Sequence, residues 1–158
     1  MTLSIRRVVT GHDEHGGARV AIDEVCKNIV SRRPNHASCV VWSTGVFPAD
    51  NADDSDGAAR ELATTDPGGT VFRIVEYRPG VAPRNHRTES LDYAVVLSGE
   101  IDMELEGTVV HLHAGDVLVQ RGTVHNWVNR GAEPCVIAFV LVAARPVERG
   151  GRSLDAVG

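Results

Sequence analysis

The sequence predicts an all-β domain, a sandwich or barrel of many short antiparallel strands. Three observations carry that expectation. No window keeps apolar residues at i, i+3, i+4 and i+7 over a helix length. Gly and Pro recur at short intervals, so every element meets a turn early. The runs between them are rich in Val, Ile and Thr, and several alternate apolar with polar residues.

The elements follow in order. "IRRVVTG" and "ARVAIDEV" flank the glycine turn in "HDEHGG" and read as a hairpin. "SCVVWSTGVFP" reads as a strand stopped by Pro48. Residues 49–69 are acidic and poor in apolar side chains, a surface loop with one helical turn around 58–63. Asp50, Asp53, Asp54 and Asp56 match a calcium loop in composition only, because the later glutamate is missing. "TVFRIVEYRPG" is a strand ending in a Pro-Gly turn. "DYAVVLSGE" runs into "IDMELEG" through Ser98-Gly99. In the latter, Ile101, Met103 and Leu105 alternate with Asp102, Glu104 and Glu106, a strand wet on one face. "TVVHLHAGD", "VLVQRG" and "HNWVNRG" follow. "PCVIAFVLVAA" is continuously apolar and reads as a central strand covered on both faces. The chain thus divides into N-terminal strands over residues 1–48, an acidic loop over 49–69, a barrel core over 70–144 and a polar, frayed tail over 145–158.

Composition excludes several classes of function. The 158 residues suit one domain, and hydrophobic residues make up 42%, an ordinary globular share. The net charge of -5 comes without a basic stripe, so neither nucleic acid nor an anionic membrane is an expected partner. No run approaches a membrane span, and "MTLSIRRVV" lacks the apolar core of a signal peptide. A reducing cytoplasm is the expected compartment. Cys26, Cys39 and Cys135 are odd in number and show no CxxC spacing, so buried free thiols are expected.

Seven histidines raise the question of a metal. His12, His15 and His36 fall in turns and loops, where solvated side chains are expected. His111 and His113 alternate with Val110, Leu112 and Ala114, so the apolar set takes the core and the imidazoles face outward. His86 and His125 differ, because each follows a turn and begins a strand. In "HRTESLD" an extended chain puts His86, Thr88, Ser90 and Asp92 on one face. In "HNWVN" it does the same for His125, Trp127 and Asn129. Imidazole and carboxylate suit zinc, iron, manganese or nickel, and two histidines with one carboxylate leave positions open for substrate. The competing reading is a pair of histidines that only hydrogen-bond in turns.

These segments resemble the two motifs of the cupin superfamily. Gly80 is followed after five residues by His86, Asp92 stands where the first motif has glutamate, and Gly99 closes it. Gly115-Asp116 opens the second motif, and "QRGTVHNWVN" supplies Gly122, His125 and Asn129 in step. The resemblance implies a double-stranded β-helix, or jelly-roll barrel, with extra N-terminal strands. It implies a pocket holding one divalent transition metal (Fe, Zn, Mn or Ni) on His86, Asp92 and His125, with Gln120 as a fourth ligand. The departures are specific. Thr88 replaces the second histidine of His-x-His, and Gln120 replaces a proline. Cupins are often dimers, so a homodimer is expected, with the N-terminal hairpin able to exchange strands.

The expected pocket carries Trp127, Trp42, Thr88 and Arg121 against a small-molecule ligand. Trp127 is the stacking wall; for Trp42 and Tyr93 core packing competes. Arg73, Arg84, Arg87 and Arg121 lie near the motifs and offer guanidinium groups to a carboxylate or enolate. Three functions remain open. One is a metal-dependent enzyme on an oxygen-rich small molecule, an isomerase, cyclase, dehydratase, decarboxylase or iron dioxygenase, with Glu89 or a metal-bound hydroxide as base. The others are a non-catalytic binding module and a metal-free enzyme with His86 or His125 as base and Gln120 or Tyr93 orienting the substrate.

Overall fold

The computed structural model describes residues 3–158. The strands are β1 (Arg6–His12), β2 (Ala18–Val25), β3 (His36–Thr44), β4 (Thr70–Tyr77), β5 (Ser90–Ser98) and β6 (Glu100–Leu105). After them come β7 (Thr108–His113), β8 (Val117–Arg121), β9 (Asn126–Val128), β10 (Cys135–Ala143), β11 (Val147–Arg149) and β12 (Arg152–Leu154). One sheet has the order β3-β4-β10-β5-β8, and a second has β7-β6-β9. All pairings are antiparallel. The ribbons β1-β2 and β11-β12 stand outside these two sheets. Among the described residues no helix is long and apolar enough to cross a membrane.

Period-two alternation builds the core. On β4, Val71, Val75 and Tyr77 face inward; on β10, Cys135, Ile137, Phe139 and Leu141 do the same. They meet Ile101 and Met103 of β6, Leu112 of β7 and Trp127 of β9, which closes the barrel around one apolar cluster. The outer face of the large sheet has a smaller cluster, Leu3, Cys26, Ala37, Cys39 and Ile74, with Val136 and Ala138 packed against it. That second layer covers part of β10, the central strand. The three cysteines are buried and free, as their apolar surroundings predict. Gly99 turns β5 into β6 at φ 75°, where a Cβ would also run into the Pro134 carbonyl, so only glycine fits without strain.

Two expected segments differ. Residues 58–63 form turns and bends and no helical turn. Their shape is set by ion pairs: Asp56 is gripped by buried Arg7 at 2.6 Å and accepts Ala58 N–H, while Arg60 grips Asp66 at 2.6 Å. The tail is not frayed either. It forms β11-β12, and Val157 exchanges two backbone hydrogen bonds with Arg87 at 2.9 and 3.1 Å. Loop and tail together rim the open end of the barrel.

Candidate functional site

His86 and His125 come from separate segments and are clamped by their own backbones. Each donates its N–H to the other's carbonyl at 3.1 Å, which puts both side chains on one face with ring centroids 4.3 Å apart. Asn126 fixes the approach: its Oδ1 accepts Arg84 N–H at 2.8 Å, and its Nδ2 donates to Glu104 at 2.9 Å. His86 Nδ1 lies 3.1 Å from the Arg84 carbonyl, and His125 Nδ1 lies 2.9 Å from the Thr123 carbonyl. A carbonyl only accepts, so each Nδ1 carries the proton and each Nε2 keeps a lone pair. Burial holds both imidazoles neutral. His86 is pushed down to about 4, with His125 and Arg84 adding to the effect, and His125 is lowered mainly by burial.

The pair lines a cavity of about 50 Å³ inside the barrel. Val75, Tyr77, Trp127, Phe139 and Leu141 form its dry wall; Tyr77 stacks on Trp127 at 5.9 Å between ring centroids. The polar wall holds Arg33, His36, Arg73, Arg84, Thr88 and Asp92. Asp92 is buried on the inward face of β5, and its Oδ1 accepts the Ser90 hydroxyl. Burial raises its carboxyl to about 6, against the opposing pull of Ser90 and Arg73. Outside the cavity lies a vestibule of about 530 Å³ that shares Thr64, Arg84 and Thr88 with it and includes Glu89, Arg87 and Val157.

The cavity therefore gathers His86, Thr88, Asp92, His125 and Trp127 from the expected site. Other candidates lie elsewhere. Tyr93 is 48% exposed on the outer face of β5, because it neighbours inward Asp92 and alternation turns it away. Arg121 is exposed and lines a separate cleft beside Pro146 and Leu154. Trp42 sits in a groove against the N-terminal ribbon, with Gly57 packed on its indole. Glu89 is an exposed vestibule residue whose carboxylate accepts Ala156 N–H at 3.3 Å. Gln120 is buried but outside the cavity wall; its Nε2 donates to Thr123 and its Oε1 has no partner. His36, expected on the surface, is buried at 8% exposure and meets Tyr77 edge-on. Sequence reasoning passed over Tyr77 and Arg33 altogether. The signal for Arg73 and Tyr77 was present: both share the inward period of Val71 and Val75 in "TVFRIVEY".

Among the described residues, the ligand atoms of His86, Asp92 and His125 do not all lie within 4.8 Å of one another. Among the described residues, the group whose ligand atoms lie within 4.8 Å of one another is Glu100, His111 and His113. Thr88 offers a hydroxyl where a third imidazole is needed, and three arginines in the same wall oppose a dication. The outer cluster sits on the wet face of β6-β7, where His111 Nε2 is 3.3 Å and His113 Nε2 3.9 Å from one Glu100 oxygen. Asp102 orients His111 from Nδ1 at 2.6 Å. The fold and this Glu-His-His cluster are compatible with a metal site.

Two facing antiparallel sheets rolled into a barrel, with a polar cavity opening at one end, define a double-stranded β-helix protein. The Cupin domain family (Cupin_2) matches residues 73–142. The chain is 32% identical to the cupin-domain-containing oxidoreductase fogC of Aspergillus ruber, over 94% of this chain and 77% of that protein. It belongs to the cupin superfamily. It is also 50% identical to the phomopsin biosynthesis cluster proteins C′ and D of Diaporthe leptostromiformis, over 58% of this chain. That match spans 49% of each of those proteins, about half their length. Among solved structures, a double-stranded β-helix protein from Klebsiella pneumoniae superposes with a TM-score of 0.52 at 21% identity, over 75% of this chain and 85% of that chain.

Proposed function

We propose that the chain is a small cupin enzyme that moves a proton on an oxygen-bearing organic molecule bound at the His86–His125 pair. One observation carries the reading: two buried imidazoles, each with Nδ1 held by a backbone carbonyl, line one cavity and leave Nε2 free for a ligand. One Nε2 takes a proton from the carbon beside a carbonyl, and the C–H electron pair moves through the C–C bond to leave an enolate. Returning that proton at another carbon completes an isomerisation. Passing it to a departing β-hydroxyl, which leaves as water, completes a dehydration. Arg84, at the cavity rim, faces the developing enolate charge.

The test uses the untagged protein in D2O with a panel of small 2-oxo and 3-oxo acids and esters, read by proton NMR. Wild type exchanges the carbon-bound proton of at least one compound. His125→Gln loses that exchange about a hundredfold or more while keeping its melting temperature. Exchange that survives in both His125→Gln and His86→Gln sinks the reading. Saturable binding with no exchange favours a binding module instead.

The relative named an oxidoreductase favours a second reading, redox chemistry at a divalent transition metal in the same barrel. Elemental analysis of wild type, His125→Ala and His111→Ala separates the two places where a metal can sit. Stoichiometric iron, zinc, manganese or nickel lost only in His125→Ala supports the second reading. Metal lost only in His111→Ala belongs to the β6-β7 cluster and counts against it.

A further inference from the structure

The cavity wall gathers three arginines, Arg33, Arg73 and Arg84, in one place. Elsewhere Arg6, Arg7, Arg60, Arg78 and Arg130 each pair with aspartate or glutamate. Among the described residues, Arg33, Arg73 and Arg84 form no ion pair with an aspartate or glutamate side chain. Arg33 Nε donates to the Ala82 carbonyl at 3.0 Å and Arg73 Nη2 to the Ala63 carbonyl at 3.0 Å, both uncharged acceptors, while Arg84 Nη2 donates to Thr64 Oγ1 at 3.1 Å and to the terminal Gly158 O at 2.9 Å. Asp92, the acidic side chain among them, is bonded to Ser90. In this wall two buried polar atoms are left without partners among the described residues. Arg73 is 9% exposed with Nε unsatisfied, and His36 is 8% exposed with Nδ1 unsatisfied. Both side chains line the same cavity.

An unsatisfied buried donor is costly, and a buried guanidinium with no carboxylate hydrogen-bonded to it more so. A native fold keeps such groups where a ligand completes them. An anion fits this wall best, because the wall sets Arg33, Arg73 and Arg84 against the one carboxylate side chain of Asp92. It must also be small at this point, because about 50 Å³ holds little more than one carboxylate. The vestibule of about 530 Å³ leaves room for a larger body.

We infer that the molecule bound in the barrel is an organic acid, its carboxylate seated on Arg73 and His36 and its body running past Arg84 into the vestibule. This rests on the reading of the barrel as the ligand site and supplies the substrate class.

The experiment is a titration with pyruvate, acetate and malonate, and with neutral methyl pyruvate, followed by calorimetry and by fluorescence of Trp127 in a Trp42→Phe background. At least one acid binds saturably at one site per chain, and methyl pyruvate binds at least tenfold more weakly than pyruvate. Arg73→Met and His36→Asn each weaken acid binding about tenfold or more, while Arg121→Gln leaves it unchanged. If Arg73→Met fails to fold, His36→Asn carries the test. Three results overturn the inference: equal binding of ester and acid, unchanged acid binding in His36→Asn and Arg73→Met, or no saturation by any acid up to about 10 mM. Acid binding without isotope exchange leaves the inference standing and removes the proton-transfer reading. Exchange on a neutral compound with no acid binding does the reverse.

Discussion

His36 and His86 are titratable groups that the fold refuses to charge. Burial first, and then nearby positive charge, pushes His36 down to about 4; burial, His125 and Arg84 do the same for His86. A free imidazole has its midpoint at 6.5, so between about 4 and 6.5 the unfolded chain binds protons that the folded chain declines. Their stabilisation is complete above that window and is lost as pH falls through it. Asp92 acts oppositely: raised from 3.8 to about 6, it contributes below that range and loses its contribution as pH rises. Two imidazoles outweigh one carboxyl. The urea midpoint is therefore expected to fall between pH 6.5 and 4.5, and His36→Gln or His86→Gln to flatten the slope. A midpoint that rises over that interval contradicts the assignment. The same residues show what the sequence revealed and what it hid. The extended-chain rule put His86, Thr88 and Asp92 on one face, and the structure keeps them together. Applied one residue further, it turns Tyr93 outward. His36 was illegible because it is buried by Tyr77 across the register, a partner far along the chain.

At the scale of elements, alternation was a sufficient guide where one face is dry. β6 and β7 bury Ile101, Met103 and Leu112 and expose His111 and His113, as their patterns require. β10 is central in the larger sheet, and Ile137 is fully buried between β4 and β5. Ile137→Ala removes most of that side chain from a closed core and is expected to cost about 3 kcal/mol, measured by urea unfolding. A cost below about 1 kcal/mol means that the core collapses around the gap. The acidic loop resisted prediction for a different reason. Its order comes from long-range ion pairs, above all Arg7, whose guanidinium bridges Glu24 of β2 and Asp56 of the loop at 2.6 Å each. The arginine is buried and its partners are half exposed, so Arg7→Met is expected to cost about 2 kcal/mol. The loop rims the cavity through Thr64, so the variant also speeds proteolysis within residues 49–69. Unchanged cleavage there means the loop is held by its own turns.

The whole molecule leaves two apolar surfaces without a partner. β1-β2 is a two-stranded ribbon outside both sheets, and seven of the eight residues of β2 are exposed. Val8, Val20 and Val25 stand out from it at 51%, 58% and 52% exposure. A ribbon of two strands is marginal in water by itself. The other surface is the outer face of β5 and β8. There Tyr93 opposes Val119, Val95 opposes Val117 and Leu97 extends the patch, all exposed. β8 is also an edge strand with an unpaired backbone. One chain thus carries an exposed apolar ribbon and an exposed apolar strand face, and a second copy is expected to cover both reciprocally about a two-fold axis. A homodimer burying about 1,600 Å² in total is the expected assembly. Sedimentation over about 1–100 µM checks it, with wild type sedimenting as a dimer. Val117→Lys with Val119→Lys introduces charge at side chains already exposed in the single chain, so folding is retained and the dimer is lost. Monomeric wild type across the whole range rules the assembly out, and an unaffected dimer in the double variant places its interface on another face.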